Sequence, residues 1–171
     1  MDLRILDPFD DKCWHRRTKP IIRIICHHSF TRSTKDTRRI LNARGLSTHY
    51  EVAHDGVVLN YLEPSRKVAY HAGWVNGTSI GIDLTHLPGD EFPLVQLEGL
   101  AELIAYLWEK FPTIPRTLAP DGKKFPRGSK ELDEFGVIRH RNVANTVCPD
   151  NLDLEAVYLR ALEIYQSQAE S

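Results

Sequence analysis

The sequence predicts an α/β fold, a single domain with a central mixed β-sheet flanked by α-helices. Three observations lead there. Segments of helical period alternate with short β-branched runs and hairpins, a pattern that packs helices on a sheet of mixed direction. The run Ser79-Ile80-Gly81-Ile82-Asp83-Leu84 has an uninterrupted apolar centre, as expected of a central strand covered on both faces. The chain has 171 residues, 42% hydrophobic and 26% charged, enough for one proper core.

In order, residues 1–20 carry many charges and no clear period, and read as an N-terminal arm lying on the domain and anchored by Trp14. The domain proper is assigned to 21–171. Ile21 to Cys26 is a β-branched run that hands over to His27, His28 and Ser29. Ser33 opens a helix, with Asp36 in the capping-box position, Ile40 and Leu41 on the inner face, and Gly45 as the stop. A hairpin follows, Thr48 to Ala53 and Val57 to Leu62, turning at Asp55-Gly56. After a loop containing Pro64 and Gly73 comes the strand from Ser79 to Leu84, in which Gly81 permits a close approach of another group. A long helix starts near Pro93 and keeps Leu97, Leu100, Ala101, Ile104, Leu107, Trp108 and Phe111 on one side as core. Residues 112–130, rich in Pro, Gly, Lys and Arg, are expected to form a rim of the functional cleft; the charges of Lys123, Lys124 and Arg127 read as a solvated face. A last helix begins near Asp153 and Glu155, with Leu154, Tyr158, Ala161, Leu162 and Tyr165 as its apolar stripe.

Composition excludes several roles. A formal charge of -1 argues against an electrostatic nucleic-acid binder. No apolar stretch approaches a membrane span, and the acidic start lacks the pattern of a signal peptide. The chain is expected to be cytoplasmic as synthesised, to reach any wall target by another route, and to be a monomer. Three cysteines do not make a disulfide framework. Cys26 reads as a small buried residue at a strand end; a Cys13–Cys26 bridge is the alternative the sequence leaves open.

The chemistry gathers around Val137-Ile138-Arg139-His140 and the polar loop that returns Cys148 eight positions later, followed by Pro149. A strand end and a loop supplying imidazole and thiolate suit zinc, and His27, at another strand end, offers a third arm. Three protein ligands and an open position for water describe a catalytic site.

The wording of four segments resembles the zinc-dependent N-acetylmuramoyl-L-alanine amidases, the family that includes phage lysozyme-type amidases, cytosolic muropeptide amidases and peptidoglycan recognition proteins. The segments are Ile25-Cys26-His27-His28-Ser29; Thr48-His49-Tyr50-Glu51-Val52-Ala53-His54-Asp55-Gly56; Ala69-Tyr70-His71-Ala72-Gly73 with Asn76-Gly77-Thr78-Ser79-Ile80-Gly81-Ile82-Asp83; and His140-Arg141-Asn142-Val143 with Cys148-Pro149. They stand in the family's order between residues 21 and 150. The resemblance implies the same fold, a Zn2+ ion held by His27, His140 and Cys148, and a peptidoglycan or muropeptide partner. It implies hydrolysis of the bond between the lactyl group of N-acetylmuramic acid and L-alanine.

Asp83 stands where the muropeptide amidases carry a catalytic glutamate, one methylene longer, and is the candidate proton carrier. Phage-type relatives place a tyrosine where this chain has Thr48, and Tyr50, two residues on, would share its face by alternation. They place a lysine where this chain has Thr146, a residue that amidase-active recognition proteins also use; Thr146 is the candidate donor to the developing oxyanion. His71 is expected beside the metal, stabilising the oxyanion or binding the peptide stem. Tyr70, Trp74 and Asn76 are the expected substrate-side residues, and His49, grouped with them, reads as a supporting or wall residue of the cleft. A recognition module that binds muropeptide without cutting it is the competing reading; the retained Cys148 favours catalysis, since relatives that only bind commonly lose that ligand.

Overall fold

The computed structural model describes the backbone of residues 3–5 and 13–169 and the side-chain environments of residues 13–168. The expected mixed sheet is present. Its six strands run in the order β1 (Leu3–Ile5), β5 (Val58–Asn60), β4 (Tyr50–Val52), β7 (Ser79–Leu84), β3 (Arg23–His28) and β8 (Val137–Arg139). Only β4 and β5 pair antiparallel, as the hairpin demands; the other neighbours are parallel. A separate antiparallel pair joins β2 (Trp14–Arg16) to β6 (Lys67–Ala69). Much of the expected arm lies outside the described residues. Its described part contributes β1, β2 and Arg17, whose guanidinium donates to the carbonyls of Pro64, Gly77 and Ser79 at 2.6–2.9 Å.

Strand alternation divides the side chains cleanly. On one face Ile24, Cys26, Tyr50, Val52, Ile80, Ile82 and Leu84 form the main core with α2 (Leu94–Lys110) and α3 (Leu154–Ala169), including fully buried Leu100, Ile104, Leu107 and Trp108. On the other face point Ile25, His27, Ser79, Gly81, Asp83 and Ile138, beside a smaller cluster of Ala72, Val75, Ala119, Phe125 and Leu132. Cys26 is a free, fully buried thiol, so no bridge joins it to Cys13. Among the described residues no helix is long and apolar enough to cross a membrane.

Two sequence expectations shift. The helix α1 (Thr34–Ala43) is capped by Ser33, whose Oγ accepts from Asp36 N at 3.1 Å, and Gly45 takes the left-handed conformation after it. Yet Ile40 and Leu41 are half-buried and line the cleft, because α1 serves as a wall over the second face while α2 and α3 cover the main core. Tyr50 does not share a face with the cleft. Thr48 and His49 precede β4, so strand alternation does not extend back through them, and Tyr50 is buried in the main core.

Candidate metal centre

The strands β3, β7 and β8 run parallel and end together, so their last residues meet at one edge of the sheet, the place where open α/β sheets form their sites. His27 and Asp83 are direct partners across β3 and β7, and both face the second layer. His140 follows the last residue of β8 in a short 3₁₀ turn. The loop after it returns Cys148, whose peptide bond to Pro149 is cis. Donor atoms of His27, His140 and Cys148 all lie within 4.8 Å of one another.

The chain makes the loop rigid from behind. Asn142, 1% exposed, accepts from Arg139 N at 2.8 Å and donates to the carbonyls of Pro120 and Lys123. Arg141 forks onto Asp121 at 3.0 and 2.9 Å, and Lys124 Nζ donates to the carbonyl of Arg141 at 2.6 Å. Residues 112–130 do not line the cleft over the three donors, where a rim was expected. Residues 120–124 lie against the ligand loop and brace it, while Lys123, Lys124 and Arg127 stay exposed, the solvated face expected of them, with Lys123 paired to Glu131 at 2.8 Å.

The donor set fits a zinc ion. His27 presents Nδ1 to Cys148 Sγ at 3.9 Å, near the ~3.6 Å edge of a tetrahedron with ordinary zinc–nitrogen and zinc–sulfur bond lengths. Burial, helped by the neighbouring imidazoles His140, His71 and His28, holds His27 well below its ordinary pKa. Burial and then His28 bring His140 down to about 4, so at neutral pH both rings carry a lone pair. Burial pushes the Cys148 thiol up to about 12 despite the His28 N–H at 3.3 Å, so a cation between the three donors is the charge that would make it a thiolate.

Asp83 is 6% exposed and its carboxyl is pushed up to about 7, first by burial and then by the Glu51 charge, with the Thr48 hydroxyl opposing. Glu51 is its partner across β4 and β7, fully buried, and takes hydrogen bonds from Tyr61 and Thr85. Nothing in the sequence pattern singled out Glu51 or Arg17; only the strand register brings Glu51 to Asp83.

A cleft of about 160 Å3 opens over these groups, lined by His27, Tyr70, His71, Asp83, His140 and Thr146 among others. A larger hollow, about 430 Å3 between residues 117–121 and α3, holds no such convergence of donors. Thr146 Oγ1 accepts from Cys148 N at 3.2 Å. Tyr70 lines the cleft with its hydroxyl 3.3 Å from His15 Nδ1.

Other expected residues sit elsewhere. His49 is 0% exposed: Gly81 N donates to its Nδ1 at 3.0 Å, its Nε2 donates to the Lys67 carbonyl, and burial brings it down to about 3. It is a wall beneath the cleft, as the wall reading of its position expected, and is closed to substrate. Asn76 Oδ1 accepts from His71 N and Ala72 N, holding the loop. The Trp74 indole donates to the Val143 carbonyl and lines a separate groove with residues 124–127 and 142–145. His71 cannot donate freely to an oxyanion, because both ring nitrogens are engaged, with His27 Nε2 at 3.0 Å and Ser79 Oγ at 3.1 Å.

Two imidazoles and a thiol facing a cleft beside a buried carboxyl group are a donor set suited to metal-assisted hydrolysis. Residues 17–151 match the family described as N-acetylmuramoyl-L-alanine amidase, and the chain belongs to that family. A Rickettsia conorii protein named as an N-acetylmuramoyl-L-alanine amidase is 29% identical over 143 residues, covering 68% of this chain and 52% of the relative. The chain thus spans about half the length of that curated relative. Among solved structures, the amidase LysC from Clostridium intestinale has a TM-score of 0.67 at 21% identity, covering 92% of this chain and 96% of its own. A Drosophila PGRP-LB variant in complex with tracheal cytotoxin has a TM-score of 0.62 at 21% identity, covering 88% and 90%. At these identities the two structures establish the fold.

Proposed function

We propose that the protein is a zinc-dependent N-acetylmuramoyl-L-alanine amidase, hydrolysing the lactyl-amide bond between N-acetylmuramic acid and L-alanine in peptidoglycan or its soluble fragments. The observation that carries this reading is the convergence of His27, His140 and Cys148 beside Asp83 in a chain of this family.

His27, His140 and Cys148 would hold the zinc ion, which when bound supplies a Lewis acid for the amide carbonyl and lowers the pKa of a water toward neutrality. Asp83 takes the proton of the attacking water and returns it to the departing amine of L-alanine. A carboxyl poised near 7 suits both directions of transfer. Glu51 maintains that poise by placing a second buried carboxylate beneath it. The Thr146 hydroxyl accepts from Cys148 N, which leaves its own hydrogen for the oxygen that gains charge as water adds. Tyr70 and the half-buried α1 residues Ile40 and Leu41 form the cleft sides that receive the substrate.

The test is incubation of metal-quantified protein with intact peptidoglycan and with soluble muropeptides, with and without a chelator, followed by identification of newly freed amino termini. Chelator-sensitive release of L-alanine amino termini, lost in Cys148→Ser, is the expected result. Stoichiometric zinc with no cleavage of either substrate would instead make the protein a recognition module.

A further inference from the structure

Beneath the three donors runs a directed chain of hydrogen bonds that no step of the proposed reaction uses. His27 faces Cys148 with Nδ1 and faces His71 with Nε2. If Nδ1 offers its lone pair to a metal, Nε2 must carry the hydrogen, and His71 Nδ1 must accept it across 3.0 Å. His71 then carries its own hydrogen on Nε2 and donates to Ser79 Oγ at 3.1 Å. Ser79, fully buried, donates onward to the carbonyl of Val75 at 2.9 Å. Every donor finds an acceptor, and only one arrangement of protons satisfies all three links.

The fold is built around this chain. A Cβ on Gly81 would stand 2.7 Å from Cγ and Nδ1 of the His71 ring, so the ring lies flush on the bare backbone of β7. Asn76 fixes the His71 backbone from the loop side.

The geometry points to His71 and Ser79 as a positioning relay that sets the tautomer and ring orientation of His27, so that Nδ1 faces the metal. This inference rests on the metal centre proposed above. It assigns His71 to the support of a ligand rather than to contact with substrate. Outer partners of this kind commonly change metal affinity by about 10–100-fold when removed.

Asparagine and leucine separate the relay from mere packing, since they are nearly isosteric and only asparagine keeps an acceptor near the position of Nδ1. Zinc affinity is measured by competition with a chromophoric chelator, on proteins whose zinc-free folding has been checked by circular dichroism. His71→Leu is expected to weaken zinc by about 10–100-fold, with His71→Asn within several-fold of the parent. In Ser79→Ala, which removes one oxygen and little volume, affinity falls and the His27 ring nitrogens, read by long-range proton–nitrogen spectra, no longer report a single Nε2–H tautomer. Equal affinities in His71→Leu and His71→Asn, or an unchanged His27 signature in Ser79→Ala, would overturn the relay while leaving the zinc site standing. Absence of zinc from the parent protein would overturn both.

Discussion

Gly81 and His71 offer a double-mutant cycle whose size can be worked from the structure. Gly81→Ala adds a methyl 2.7 Å from two ring atoms of His71 and 3.0 Å from a third. Carbon atoms rest at about 3.5–4.0 Å, so the ring must retreat by roughly 1 Å. The retreat costs about 1–3 kcal/mol as overpacking, and stretches contacts of 3.0 and 3.1 Å beyond hydrogen-bond length for about another 1 kcal/mol. Each kcal/mol lowers Tm by roughly 2–4 °C in a domain of this size, so zinc-free Gly81→Ala should melt several degrees below the parent. In a His71→Ala background the space is open, and alanine is favoured over glycine in a strand by roughly 0.5–1 kcal/mol. The cycle, read by urea denaturation in chelator, should therefore give a coupling of about 2–4 kcal/mol. Equal costs of Gly81→Ala in both backgrounds would refute the argument that His71 is what excludes a side chain from position 81.

Other perturbations address the site directly. Cys148→Ser should abolish stoichiometric zinc by elemental analysis, since it removes the softest of the three donors. Asp83→Asn should retain zinc but lower kcat/KM by about 10²–10⁴-fold, checked by amine release from muropeptides. Zinc-free protein should lose stability as pH falls below about 6.5, because His27, His49, His71 and His140 stay neutral when folded and take protons when unfolded. Asp83 has the opposite sign: its folded carboxyl, held near 7, keeps a proton that the unfolded chain releases above about 4, so it increasingly favours the native state as pH falls through that window. Urea titrations of Asp83→Asn between pH 4.5 and 6.5, a window chosen from roughly those limits, should show the acid loss steepened by about 1.4 kcal/mol per pH unit, and an unchanged slope would show that Asp83 is ionised in the zinc-free fold. Asn142→Ala leaves Arg139 N without its acceptor and should cost about 1–3 kcal/mol by the same titration, together with weaker zinc through a looser His140 loop.

The parts of the fold that could be read in advance are those where local chemistry and burial agree. Ser79 to Leu84 is a strand at the expected residues because its alternate apolar side chains meet the main core while Gly81 and Asp83 meet the second layer. Ser33 and the Asp55-Gly56 turn announced their elements because capping and left-handed backbone are local demands. The convergence of His27, His140 and Cys148 was legible because each donor sits at a strand end or in the loop behind one. What escaped depends on who is packed behind whom. Leu3–Ile5 and Trp14–Arg16 are three-residue strands in charged sequence, and their pairing is set by partners far along the chain. A Pro- and Lys-rich segment announces a loop, but not that it lies behind residues 140–148. His49 in the hairpin and His71 in its loop are both histidines near the resembling motifs; only three dimensions show His49 bonded to backbone under the cleft and His71 held between His27 and Ser79.

The chain separation of the donors has its own consequence. Cys148 and His27 meet across 121 residues, so a metal held by both closes nearly the whole domain into a ring. Loop-closure reasoning for covalent links over about 100 residues assigns roughly 4–5 kcal/mol to the freedom removed from the unfolded chain. An ion held there would act as a reversible clasp, joining the first long strand to the segment that launches the last helix. Withdrawal of the ion would open the loop that carries Cys148 to proteolysis before the central strands, so resistance to a protease becomes a gauge of metal loading in the absence of any substrate.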